Sequence, residues 1–139
     1  EINGRKYYDG GTVDPIPVHY PLEHGYNRVI VVLTQPKGYK KPQQAGKAVY
    51  SLVLRKYPKL IQAVKQRHIV YNRTLEELEV LEKEGKVLIM RPSRDLGAKR
   101  FTRDKELLER LYQLGCEDAK AALPRIREFI SDKGGAENA

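Results

Sequence analysis

The sequence offers little for chemistry that depends on cysteine. Its 139 residues include one cysteine, Cys116, one methionine and no tryptophan. A lone cysteine cannot form an internal disulfide, and without a cysteine cluster there is no cysteine-built zinc site. No apolar run approaches the roughly 18 residues of a membrane-spanning helix, and no secretory signal is visible. We therefore predict a cytoplasmic protein, with peripheral membrane contact left open.

Several active-site motifs are also missing. No serine has the flanking glycines of a nucleophile elbow, and neither a phosphate loop nor a dinucleotide-binding fingerprint occurs. The histidines, His19, His24 and His68, lack metal-ligand spacing and are more often structural residues than ligands. We predict no metal and no cofactor.

Positive charge is in excess, with a formal net charge of +8. Such a charge permits binding to nucleic acid, anionic lipid or acidic protein and does not choose among them. Solvated lysines and arginines on helix faces explain it equally well. The charges are dispersed and no nucleic-acid-binding motif is present, so nucleic acid is not favoured as a partner. No feature indicates an oligomeric state.

Predicted strands alternate with predicted helices along the chain. Strands are expected at 5–8, 28–34 and 86–90, and helices at about 45–56, from 58 to the low 70s, at 75–84, at 103–114 and at 117–132. This order predicts an α/β fold, a partial three-layer α/β/α arrangement with a mainly parallel sheet and a helix-rich carboxyl-terminal half. Three strands are few for such a sheet. We expect residues 1–133 to be the carboxyl-terminal part of a larger domain and 134–139 to be a loose tail.

Particular residues set these boundaries. The β-branched run 28–34 does not alternate with polar residues, which predicts burial on both faces of the sheet. Thr74 and Glu77 form a capping box that predicts a new helix at Leu75. Gly115 is expected to separate the last two helices, and Pro124 is expected to kink the final one or mark its true start.

The sequence Asp9-Gly10-Gly11 follows two tyrosines that suit a strand. The glycines would let the chain leave that strand sharply, with at least one of them in a conformation that other residues avoid. Asp9 would then lie at the carboxyl end of a strand, where open α/β sheets build their sites, and could accept a proton from a nucleophile. The alternative is an ordinary Asp-Gly turn.

A longer pattern resembles the latter half of bacterial patatin-like phospholipases and covers most of residues 5–130. It comprises the run 9–17, the strand 29–34, the loop 38–42 (Gly-Tyr-Lys-Lys-Pro), Arg67, Tyr71-Asn72, Leu75, the run 111–115 and 117–119. The resemblance implies a lipid acyl hydrolase with a serine–aspartate dyad and no cofactor. It places the catalytic aspartate at Asp9, with Gly10 and Gly11 completing the motif.

The sequence departs from that family because the serine elbow and the glycine-rich oxyanion loop are absent from it. The resemblance therefore implies a carboxyl-terminal fragment that carries the base without the nucleophile and is inactive alone. The substrate of the longer enzyme would be a phospholipid or another lipid ester, which serine-ester chemistry with an aspartate base hydrolyses.

Parallel strands at 5–8, 28–34 and 86–90 would bring the loops that follow them to one edge of the sheet. The basic residues Lys40, Lys41, Arg94 and Arg100 would then surround Asp9 and contact an anionic membrane, each contributing roughly 1 kcal/mol. Two other interpretations remain. The chain is either a non-catalytic basic module that binds an anionic surface or nucleic acid, or an assembly domain that keeps a fold without an activity.

Overall fold

The computed structural model describes residues 2–43, 52–99 and 101–131. In chain order its regular elements are a 3₁₀ turn (Gly10–Thr12), helix α1 (His19–Glu23), strand β1 (Val29–Val32), helix α2 (Pro58–Lys83), strand β2 (Val87–Met90) and helix α3 (Lys105–Ser131). This order confirms the predicted α/β class. The helix predicted at 45–56 falls largely outside the described residues, apart from helical residues 52 and 53, and the predicted tail lies wholly outside them.

The chain divides into two compact units, each built from two separate segments of the sequence. The first unit comprises Glu1–Asn27 and Lys40–Glu84, and the second comprises Arg28–Tyr39 and Gly85–Ala139. In the first unit the most buried apolar side chains are Ile16, Val18 and Leu78. In the second unit they are Val31, Leu33, Val87, Leu88, Ile89 and Leu114.

Strands β1 and β2 form a parallel pair in the second unit. Val29 is paired with Val87 and Val32 with Met90, which confirms the predicted parallel sheet. The expectation that both faces are buried is wrong for β1, because Val31 is buried while Val32 is 71% exposed. Within the described residues the sheet has two strands, and α3 contacts β2, so the outer face of β1 is left uncovered.

The strand predicted at 5–8 does not form. An isolated antiparallel bridge joins Ile2 to Arg5, and residues 6–9 have no regular structure. Tyr7 and Tyr8 are mostly exposed. The strand preference of tyrosine reflects packing against neighbouring strands, and these two tyrosines have no such neighbour within the described chain.

Helix α2 is a single helix of 26 residues, so the predicted break at Thr74 is wrong. The Thr74 hydroxyl donates to the carbonyl oxygen of Val70 at 3.0 Å, as mid-helix threonines do. Thr74 and Leu78 are buried, and this packing outweighs the local capping signal. The predicted outer limits, 58 and 84, agree with α2 to within one residue: Pro58 occupies the first turn, and Gly85 follows the helix with a φ of +70°.

Helix α3 is likewise continuous and runs through both Gly115 and Pro124, which corrects the two helices predicted for this region. Its start is capped by Asp104, whose carboxylate accepts from the backbone N–H groups of Glu106 and Leu107 at 3.0 and 3.2 Å. A mid-helix glycine costs about 1 kcal/mol. The burial of Leu114, only 4% exposed, offsets that cost. No helix within the described ranges combines the length and apolar character of a bilayer crossing.

Candidate functional site

Asp9 caps the 3₁₀ turn rather than ending a strand, which corrects the predicted placement. Its Oδ1 accepts from the backbone N–H of Gly11 at 2.9 Å, and its carbonyl oxygen accepts from the N–H of Thr12 at 3.1 Å. The residue is exposed. Its second carboxylate oxygen, Oδ2, has no hydrogen bond to any described residue. Oδ1 is therefore held by the turn, and Oδ2 is available to another group.

Gly10 and Gly11 differ in how much space a side chain would have at each position. Neither has a positive φ, so the prediction of an unusual backbone conformation is wrong. A Cβ at Gly10 would meet nothing within 4 Å, whereas one at Gly11 would lie 3.3 Å from Asp9 Oδ1 and 3.7 Å from Arg67 Nη2. Space at Gly11 is therefore limited by Asp9, because a Cβ there would be tight against the Asp9 carboxylate and in ordinary van der Waals contact with Arg67.

Arg67 fastens this turn to helix α2. Its Nε donates to the carbonyl oxygen of Gly11 at 2.7 Å, and the next residue, Thr12, is buried. A signal for this role is present in the sequence, because Arg67 falls among Val64, His68 and Tyr71 on the inward stripe of the helix. A basic residue on an apolar stripe needs a polar partner, and that partner is the Gly11 carbonyl.

A second segment of the first unit is fastened to the same helix. The Asn72 side chain accepts from the backbone N–H of Lys41 at 2.8 Å and donates to its carbonyl oxygen at 3.1 Å. The ammonium of Lys41 lies 5.0 Å from the centroid of the Tyr71 ring, within cation–π range. Lys41 thus anchors its loop through both its backbone and its side chain.

The other residues predicted to contact an anionic membrane are Lys40, Arg94 and Arg100. Lys40 and Arg94 are exposed, and Arg100 lies outside the described residues. A shared rim of these charges around Asp9 required three parallel strands, and the described chain has two.

Two of the three histidines of the first unit, His19 and His24, have polar protein partners. His19 Nε2 lies 3.1 Å from Glu77 Oε2, and His24 Nδ1 lies 2.7 Å from the carbonyl oxygen of Tyr20. Across the described ranges no three histidine, cysteine, aspartate or glutamate side chains are grouped so as to hold a metal ion.

Comparison with known proteins found a family match for the part of the chain that contains Arg67 and Asn72. Residues 57–131 match the family described as a domain of unknown function, DUF6363, which accounts for more than half of the sequence. The chain belongs to the DUF6363 family. The DUF6363 region contains the whole of α2, β2 and α3, whereas Asp9 and Lys41 precede it. Searches of curated proteins and of solved structures found no match.

Proposed function

We propose that this chain is the carboxyl-terminal part of a patatin-like lipid acyl hydrolase and that Asp9 is the base of its serine–aspartate dyad. The observation that supports the proposal most is the hydrogen bond from Arg67 to the Gly11 carbonyl. It joins the aspartate-glycine-glycine motif to a residue of α2 that the same resemblance includes. In the same way, the hydrogen bonds between Asn72 and Lys41 join the 38–42 loop, which is also part of the resemblance, to α2.

The geometry of Asp9 suits a base. The bond from Gly11 N–H to Oδ1 fixes the carboxylate on the turn, while the exposed Oδ2 is the oxygen that can take a proton. In the longer enzyme a serine Oγ attacks the ester carbonyl carbon as its proton passes to Asp9. The proton then goes to the departing alcohol, and the acyl group remains on the serine.

Asp9 completes the cycle by activating water. It accepts a proton as the water oxygen attacks the acyl-serine, and the proton returns to the serine Oγ as the fatty acid leaves. Proton transfer by a positioned base contributes roughly 10²–10⁴-fold to such reactions. The printed sequence has no glycine-flanked serine, so the chain by itself is expected to be inactive.

The deciding experiment compares Asp9→Asn with Asp14→Asn in the longer protein, using a phospholipid and a short-chain chromogenic ester. Asparagine keeps the oxygen that caps the turn but cannot take the proton, so we expect hydrolysis to fall at least about 100-fold. Asp14 is an exposed carboxylate five positions away and its replacement should leave the rate unchanged. Equal rates for Asp9→Asn and the unaltered protein would refute the role of Asp9.

The isolated chain provides a second test. It should release no product from the chromogenic ester, because a base without a nucleophile and an oxyanion site cannot support acyl transfer. Turnover that survives Asp9→Ala would indicate a contaminating esterase. Turnover that requires Asp9 would show that the chain contains its own nucleophile, and the dyad proposal would then be wrong in that respect.

We also propose peripheral contact with anionic membranes through the exposed residues Lys40 and Arg94. Lys41 is left out because its ammonium lies over Tyr71. Each basic residue near an anionic surface contributes roughly 1 kcal/mol, so Lys40→Gln with Arg94→Gln should weaken sedimentation with anionic vesicles by roughly 30-fold. The charge-matched control, Lys59→Gln with Lys65→Gln on α2, should have less effect. Equal losses for both pairs would exclude a specific role.

A further inference from the structure

The second unit contains a cavity at the carboxyl ends of its two parallel strands. The cavity measures about 310 Å³ and is bounded by the ends of β1 and β2, by Arg91 and Pro92 after β2, and by one face of α3. In open α/β sheets, ligands bind in the crevice outside the carboxyl ends of the strands. Its volume is at the lower end of the range for small-molecule sites.

The lining is mostly apolar. Val32 and Met90 come from the strands, and Leu111, Leu114 and Ala122 come from α3. Gly115 and neighbouring alanines leave room along the helix, where larger side chains would fill the space. A lining of this kind favours a slender hydrocarbon chain over a polar or bulky ligand.

The charged lining residues are Arg91, Arg125 and Asp118. The Asp118 Oδ2 already accepts from the backbone N–H of Ser93 at 2.9 Å, which holds the loop after β2 against α3. Arg91 has neither a hydrogen bond nor an ion pair with any described residue and is only partly exposed. An arginine without a described partner, beside a carboxylate that is already engaged, favours an anion.

We infer that this cavity binds an anionic amphiphile, a single alkyl chain with a carboxylate or phosphate headgroup. The alkyl chain occupies the space between α3 and the strand ends, and the headgroup pairs with Arg91. Arginine suits both headgroups because its planar guanidinium donates two parallel hydrogen bonds. The inference stands independently of the proposed hydrolase activity, since it uses no residue of the Asp9 turn.

The test titrates the isolated chain with decanoate, decyl phosphate and decanol. Binding is measured by displacement of a fluorescent fatty acid and by changes in the NMR amide shift of Gly115. Both anions should bind more tightly than decanol, although decanol is less polar. Arg91→Gln should weaken binding of the anions roughly tenfold and leave decanol nearly unchanged. Arg103→Gln, an exposed arginine before α3 that does not line the cavity, is the control. The stronger of the two anions identifies the headgroup.

A cavity-filling variant separates the site from nonspecific adsorption. Ala122→Phe should abolish binding of all three compounds while the circular dichroism spectrum stays unchanged, and Ala122→Leu serves if the larger residue prevents folding. Binding that survives a folded Ala122 variant would overturn the inference. So would equal affinity for decanoate, decyl phosphate and decanol, or no binding by the unaltered chain.

Discussion

Arg67 Nε donates a hydrogen bond of 2.7 Å to the carbonyl oxygen of Gly11, across 56 positions of sequence. The bond joins a short turn with little regular structure to the longest helix of the first unit. A turn of three residues has few backbone bonds of its own, so its position depends on contacts of this kind. The geometry of Asp9 therefore depends on Arg67 as well as on its own motif.

Arg67→Ala should lower the free energy of unfolding by about 1.5–3 kcal/mol, the usual contribution of a hydrogen bond that involves a charged group. Urea unfolding measures the loss, and faster exchange of the Thr12 amide localises it to the turn. Arg73→Ala is the matched control, because its bond to Glu77 is an exposed i,i+4 pair and should contribute about 0.3–0.5 kcal/mol. Equal losses for the two variants would mean that Arg67 does not anchor the turn.

Asn72→Ala should release the loop that contains Lys41. The variant removes both hydrogen bonds to the Lys41 backbone, and leaving backbone groups without partners costs about 1–3 kcal/mol. Asn72→Asp should fall between Asn72→Ala and the unaltered chain, since it keeps the acceptor for the Lys41 N–H and loses the donor. Urea unfolding and exchange at the Lys41 amide measure the series. An unchanged exchange rate in Asn72→Ala would contradict the expectation.

Thr74→Val and Asp104→Ala distinguish a mid-helix threonine from a true cap. The Val70 carbonyl can still accept the i→i−4 bond of the helix, so Thr74→Val should change stability by less than about 0.5 kcal/mol. Asp104 caps two N–H groups of α3, and its replacement should cost about 1 kcal/mol. Comparing urea midpoints tests both. A loss for Thr74→Val as large as that for Asp104→Ala would contradict this distinction.

These contrasts show which predictions local sequence could support. The β-branched run 28–34 predicted β1, the apolar run 86–90 predicted β2, and the alternation of strands with helices predicted their parallel pairing. Pro58 and Gly85 lie at the limits of α2. The same local rules failed at Thr74, Gly115 and Pro124, where packing of Leu78 and Leu114 keeps each helix continuous. A capping preference of about 1 kcal/mol is smaller than the burial of one large apolar side chain, at about 1.5–3 kcal/mol.

The motif of the candidate site is visible in the sequence, but its geometry is not. Asp9, Gly10 and Gly11 stand out in the sequence as a motif, yet the strand expected before them is absent from the described chain. The turn is held instead by the hydrogen bond from Arg67 to the Gly11 carbonyl, a contact between residues far apart in sequence. Local patterns carry no direct information on such contacts, and the position of Arg67 on an apolar helix stripe was the one available signal.

Alanine substitution should have opposite effects on stability at Gly85, which follows α2, and at Gly115, which lies within α3. Gly85 has a φ of +70°, and a side-chain-bearing residue in that conformation costs about 1–2 kcal/mol. Gly115 lies inside α3, where alanine is more favourable than glycine by about 0.5–1 kcal/mol. Neither substitution creates a clash, since a Cβ at either position meets nothing within 4 Å. Urea unfolding should therefore show Gly85→Ala destabilised and Gly115→Ala stabilised. A destabilised Gly115→Ala would mean that α3 does not pass unbroken through this position, and the continuity of the helix through the cavity wall would have to be reconsidered.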